Sequence, residues 1–407
     1  MENRKWFKTY MFIWAGQFAS MLTSYAVQFA IVIWLSLEYK SAEVLAYAGI
    51  AAMLPQALIG LIAGVYVDRL NRKYVMIFSD AFIAVCALVL LVILQNENVN
   101  LIWIYVLLGL RSIGNAFHTP ALQAIAPLIV PQSELIKVAG INQVLHSVCS
   151  IGGPAIGTLA IAYLPISMVL YLDLIGALLA ILSLVMVKIP DLVTKSKSSI
   201  HSITTDFLEG FQTISKNKGL RYLFLYAMAI TFIMMPAAIM FPLLTTGHYA
   251  GGKWEMGVIE VVWGGGMLIG GAILSTFKLK GSKVVAVNVM YVLLGLTFIL
   301  SGALPASWFV GFVLTTAIGG ISLSVFNGCF TAIVQTEVSP EKLGRVFSLY
   351  YSLAVLPSVI GLLFTGLIAE VIGVNITFII SGCLAILVGI LSFGTRNLMQ
   401  LDKIKNV

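Results

Sequence analysis

The chain has 407 residues, of which 60% are hydrophobic and 10% charged, and its mean hydropathy is +1.00. Soluble domains carry roughly 25% charged residues, so a water-soluble enzyme is excluded and a polytopic membrane protein follows. The net charge of +7 arises from 24 lysines and arginines spread over many short loops, which argues against a nucleic-acid surface, where cations mass on one face.

Apolar runs long enough to cross a bilayer as helices lie at residues 10–37, 42–67, 74–95, 101–125, 137–163, 166–189, 221–246, 255–277, 284–303, 308–335, 346–371 and 374–394. The reading is an all-α membrane protein with twelve transmembrane helices. The first run is too long for the core of a signal peptide and has no small-residue cleavage site, so it is expected to remain as helix 1. Cys86, Cys149, Cys329 and Cys383 fall inside these runs without the paired spacing of a zinc site, and packing roles are expected for them.

Every lysine and arginine except Lys40, Arg111 and Lys253 falls on one side of this arrangement. By the positive-inside rule both termini are then cytoplasmic. The long polar stretch after the sixth run divides the chain into a six-helix bundle over 1–190, a cytoplasmic linker over 191–218 and a second six-helix bundle over 219–407. Within the linker, residues 206–214 can form a short surface helix with Phe207, Leu208, Phe211 and Ile214 on one side. Val130-Pro131-Gln132-Ser133-Glu134-Leu135 after the fourth run is echoed by Val338-Ser339-Pro340-Glu341-Lys342-Leu343 after the tenth, as a duplicated half would require.

Ionisable groups inside a membrane are costly, and each calls for a partner or a function. Counting ~1.5 Å per residue from the end of its run, Arg111 lies about 15 Å deep. Asp173 is similar in depth and is a candidate counter-ion. Glu260 either meets a cationic substrate, carries protons or reaches water at the interface. Asp80 is expected to pair with Arg72 or Lys73 in a structural role. His118 and His146 are of the side-chain type that changes charge nearest neutral pH, against a packing alternative. Gln17, Gln28, Asn142 and Gln143 suit substrate contact or helix–helix bonding equally. Patterns for hydrolysis of nucleotides or esters are absent, so no enzymatic activity is expected.

Three local patterns carry a resemblance. Gly64-x3-Asp68-Arg69-x2-Arg72-Lys73 resembles the loop between helices 2 and 3 of the major facilitator superfamily, with Asn71 where that pattern has glycine; a left-handed turn is expected at Asn71. Arg111-Ser112-Ile113-Gly114-Asn115 resembles the superfamily's helix-4 motif, which is implicated in proton transfer. Gly153-Pro154-x-x-Gly157 is similar to the antiporter motif of drug-extruding members, although a simple packing kink has the same composition. Together with Ile13-Trp14-Ala15-Gly16-Gln17, the stretch Arg111 to Leu122, Gly266 to Gly271, and Leu343-Gly344-Arg345-Val346-Phe347-Ser348, these look like the macrolide-efflux, drug:proton antiporter branch.

The resemblance implies alternating access between two bundles in a bacterial plasma membrane, with protons driving an amphiphilic drug, a macrolide, outward. It implies a gate at Gly64, Asp68, Arg69, Arg72 and Lys73, and proton coupling through Arg111, Asp173, Glu260, His118 or His146. The partners implied are the lipid bilayer, protons and a small amphiphilic substrate, with no cofactor, metal or nucleic acid, for a monomer acting alone or with a separate ATP-binding protein. The alternatives are a lysophospholipid transporter of the same fold and a non-transporting membrane sensor. The second half lacks the loop motif, having Lys278-Leu279-Lys280-Gly281-Ser282-Lys283 in its place.

Overall fold

A computed structural model describes residues 5–96, 99–131, 134–189, 200–276 and 281–401, which form sixteen helical segments. They fall into two compact units. The first unit comprises Met1–Glu38 and Tyr47–Ile200, and is built from α1 (Lys5–Tyr39), most of α2 (Ala42–Arg69), α3 (Arg72–Ile93), α4 (Leu101–Ile129), α5 (Leu135–Tyr163), α6 (Ile166–Val169) and α7 (Tyr171–Val185). The second unit comprises Tyr39–Ala46 and His201–Val407. It contains α8 (Ile200–Lys216), α9 (Lys218–Ile239), α10 (Phe241–Gly247), α11 (Lys253–Thr276), α12 (Lys283–Ala303), α13 (Phe309–Glu337), α14 (Pro340–Ile372), α15 (Val374–Gly394) and α16 (Arg396–Met399).

Among the described residues, eleven helices are long and apolar enough to cross a membrane, one fewer than the twelve runs read from the sequence. The run at 346–371 lies within α14, whose described apolar stretch is Pro357–Ile372. Two other runs are interrupted. The sixth breaks at Leu170 between α6 and α7, and the seventh at Met240, just before Pro242 at the start of α10. The expected surface helix is longer than its core, running over Ile200–Lys216; Leu208 and Phe211 are exposed, Ile214 is buried, and the Phe207 side chain lies outside the description.

Short polar residues set the helix starts. Asn71 accepts from the backbone N–H groups of Lys73 at 3.1 Å and Tyr74 at 3.4 Å, with φ −66° and ψ 110°. The left-handed turn expected there is therefore absent, because an N-cap needs extended backbone. Asn217 caps α9 in the same way through Gly219 and Leu220. Gly373, with φ +90°, makes the abrupt turn between α14 and α15 that a side chain would strain.

The helices turn large apolar side chains outward and keep several polar ones inside among apolar neighbours. On α3 the buried stripe is Arg72, Met76, Ser79, Asp80, Ile83, Cys86 and Leu90, while Tyr74, Phe78, Phe82, Val85 and Val92 are exposed. That inversion suits a lipid surround, where apolar exposure costs nothing and helices associate through packing and polar bonds. In the second unit, Phe241, Phe298, Phe312 and Phe378 form an aromatic core with ring centroids 5.0–5.9 Å apart. Tyr249 stacks on Phe312 at 4.5 Å and donates its hydroxyl to the Ser301 carbonyl at 2.7 Å.

Candidate functional site

Asp80, Arg111, His118 and Asp173 of the first unit gather where α1, α3, α4 and α7 meet. α1 supplies Gln17, Ser20 and Ser24, at a spacing of three and four residues that sets them on one stripe. α4 supplies Arg111 and His118, seven residues apart on one face, and α3 and α7 supply Asp80 and Asp173. Gln17, Ser20, Asp80, Arg111, His118 and Asp173 are all buried.

Two polar clusters result. In one, the Arg111 guanidinium donates through Nη1 to Asp173 Oδ2, and the Ser24 hydroxyl donates to Asp173 Oδ1 at 2.7 Å. The ion pair joins α4 to α7, and the serine ties α1 to both. In the other, His118 Nε2 lies 2.9 Å from Gln17 Oε1 and 3.5 Å from Asp80 Oδ1. Gln17 Nε2 donates to Asp80 Oδ2 at 3.4 Å, and Ser20 Oγ to Asp80 Oδ1 at 3.4 Å.

Asp80 thus faces His118 and not the basic residues expected as its partners. Along a helix, Arg72 is eight residues, or about 12 Å, from Asp80, and Lys73 points elsewhere. Lys73 Nζ donates to the carbonyl of Val187 at 2.7 Å and of Val185 at 3.4 Å, closing the C-terminal end of α7, where unpaired carbonyls favour a cation. Arg72 is buried, whereas the side chains of Asp68 and Arg69 and the surroundings of Gly64 lie outside the description.

The remaining sequence candidates divide. Asn142 accepts from Tyr10, and His146, exposed, lies 3.1 Å from the Tyr25 hydroxyl, so both connect α5 to α1. Gln28 is half-buried without a side-chain hydrogen bond among the described residues, and the Gln143 side chain lies outside the description. Gly153, Pro154 and Gly157 are buried on the side of α5 that meets α1. Glu260, half-buried on α11, has no hydrogen bond or ion pair among the described residues. The sequence reading missed Ser20, Ser24 and the Asp80–His118 contact; the polar spacing along α1 was the available signal.

The model of the Major Facilitator Superfamily matches residues 13–290. Macrolide efflux protein A of Streptococcus pyogenes is 36% identical over 401 residues, covering 98% of this chain and 99% of that protein. Multidrug efflux pump Tap of Mycobacterium bovis is 22% identical over 378 residues, covering 91% and 89%. Among solved structures, the nucleoside transporter NupG superposes with a TM-score of 0.72 at 14% identity, over 95% of this chain and 98% of NupG. A bacterial homologue of the human lysosomal transporter Spinster gives 0.74 at 13% identity, over 97% and 98%. Such low identity speaks for the fold alone. The helical architecture and the match over more than half of the sequence together establish that this chain is a multi-pass membrane protein of the Major Facilitator Superfamily of transporters.

Proposed function

We propose that the protein is a proton-coupled exporter of macrolides and related amphiphilic drugs, working by alternating access of two six-helix bundles in a bacterial plasma membrane with both termini cytoplasmic. The observation that carries this reading is the 36% identity to a macrolide efflux protein along 98% of the chain. The buried ionisable groups add physical support, because charges kept inside a membrane are expensive and mark ion or substrate pathways. Gly64, Asp68, Arg69, Arg72 and Lys73 are assigned to the gate; by holding the end of α7, Lys73 ties the start of α3 to that helix.

Everted membrane vesicles test the substrate class. With an imposed proton gradient, vesicles containing the protein should accumulate labelled macrolide above vesicles without it. Movement of labelled lysophospholipid in place of macrolide would assign a lipid transporter, and movement of neither would leave a sensor.

Glu260 is the proposed anchor for the drug's ammonium group, since it is a carboxylate within a span that has no partner among the described residues. A hydrogen bond to a charged group contributes about 1.5–3 kcal/mol. Glu260→Gln is therefore expected to raise the KM for a cationic macrolide roughly tenfold or more while leaving that for an uncharged analogue within about twofold. Equal changes for both compounds would remove Glu260 from drug recognition.

A further inference from the structure

The proposed coupling requires a group that gains and loses a proton within each cycle, and the buried groups are not equivalent. Arg111 and Asp173 are committed to each other, with Ser24 as a further donor to the carboxylate. A guanidinium does not release its proton, so this pair is a fixed, neutral element. Among the described residues Asp80 has no such cation: its side-chain contacts there are Gln17, Ser20 and His118, all at 3.4–3.5 Å, longer than the 2.7–3.2 Å of well-formed hydrogen bonds.

We propose that Asp80 and His118, bridged by Gln17, form the proton-binding site of the transport cycle. The assignment rests on the proton-coupled reading above and gives it a location. Gln17 fixes the protonation geometry. Its Oε1 accepts from His118 Nε2 at 2.9 Å while its Nε2 donates to Asp80; the reverse amide orientation would set an oxygen against the carboxylate. His118 therefore carries its hydrogen on Nε2 when neutral, which leaves Nδ1 and the Asp80 carboxylate as the two places where the pair can take up a proton. The neutral imidazole and the carboxylate together bear one negative charge, and the protonated pair bears none. Because the two groups touch, the proton belongs to the pair and not to either residue.

Among the described residues, the groups that face the pair are few. From α1 the site meets Gln17 and Ser20, which do not titrate. α3 contributes Cys86 and, two turns away, Arg72; α4 contributes Arg111; and α7 contributes Asp173, which neutralises Arg111. Asp80 is 2% exposed and His118 7%, so the anionic state must bear a desolvated charge. It favours any arrangement of α1, α3 and α4 that admits water, whereas the protonated state favours the closed packing described here. A ligand shifts a conformational equilibrium by its differential affinity for the two states, and the proton has one here.

The test uses the whole protein, purified and reconstituted, with radiolabelled erythromycin as probe. Two assays run in parallel: counterflow, exchange of labelled for unlabelled drug without a gradient, and accumulation driven by an acidic lumen. Asp80→Asn and His118→Gln are expected to lose gradient-driven accumulation at least tenfold yet keep counterflow within about threefold. Asp80→Glu, which keeps the carboxylate, should restore part of the accumulation. Wild-type accumulation by both neutral variants would overturn the assignment while leaving proton-coupled export standing. So would loss of counterflow together with accumulation in variants present at wild-type amount, which would make the pair structural. Absence of gradient-driven accumulation in the wild-type protein would instead overturn the coupled-export reading and this site with it.

Discussion

Arg111→Gln is expected to destabilise the first unit by about 3–5 kcal/mol and to abolish drug export, because it leaves Asp173 as a buried charge without its cation. Asp173 is 2% exposed, and the only other hydrogen bond to its carboxylate among the described residues comes from Ser24. Arg111→Lys keeps the charge but replaces a planar fork by a compact ammonium, so partial stability with little export should remain. Folding and transport are separated by the double variant Arg111→Met with Asp173→Leu. Replacing a buried ion pair by apolar residues of similar volume is often neutral or stabilising, and the thermal midpoint of this variant should recover. If export recovers too, the pair only holds α4 to α7. If stability recovers alone, the charges contribute to transport itself. Wild-type stability of the Gln variant in a thermal melt would contradict the ion pair.

A second large effect is expected where α5 crosses α1. A Cβ added at Gly157 would sit 2.3 Å from the Ala26 carbonyl oxygen, and one at Gly153 would sit 2.3 Å from Tyr25 Cβ. The obstacle at Gly157 is backbone, which cannot rotate aside. Overpacking costs about 1–3 kcal/mol, and Gly157→Val should lie at or above the top of that range. It also displaces the helix that carries Gln17, Ser20 and Ser24, so export should fall by more than the loss of folded protein. Gly60 meets no atom within 4 Å, and Gly60→Ala is the matched control, with an expected midpoint within a degree or two of wild type. Equal behaviour of the two variants, measured by thermal melts and export per folded molecule, would show that the glycines of α5 are not there for close approach.

The helices were legible because a run of apolar residues is a local property, and the observed ends of α12 and α15 differ from the runs by at most one residue. The breaks at Leu170 and Met240 were not, since apolar composition continues through both. Polar contacts divide according to what determines them. Arg111 and Asp173 are opposite charges at similar depth, which the cost of isolated membrane charges already suggests should meet. Asp80 was assigned to Arg72 or Lys73 on closeness in sequence; its actual neighbour, His118, lies 38 positions away in the chain and is brought to it by the packing of α3 on α4. Asn71 shows the same limit on a smaller scale: its residue type suits either a left-handed turn or an N-cap, and the two N–H groups of α3 decide for the cap.

The central claim is the exchange of protons for drug, and it is tested most directly by following both in one vesicle. The purified protein is sealed into liposomes with an acidic lumen and a trapped pH-sensitive dye, and labelled macrolide is added outside. Protein-free liposomes report the passive trapping of a weak base. Above that baseline, saturable macrolide uptake should be accompanied by saturable loss of lumenal protons, and both should vanish when the gradient is collapsed with an ionophore. Protein-dependent uptake that persists without the gradient, or proton flux that is indifferent to the drug, would contradict the account.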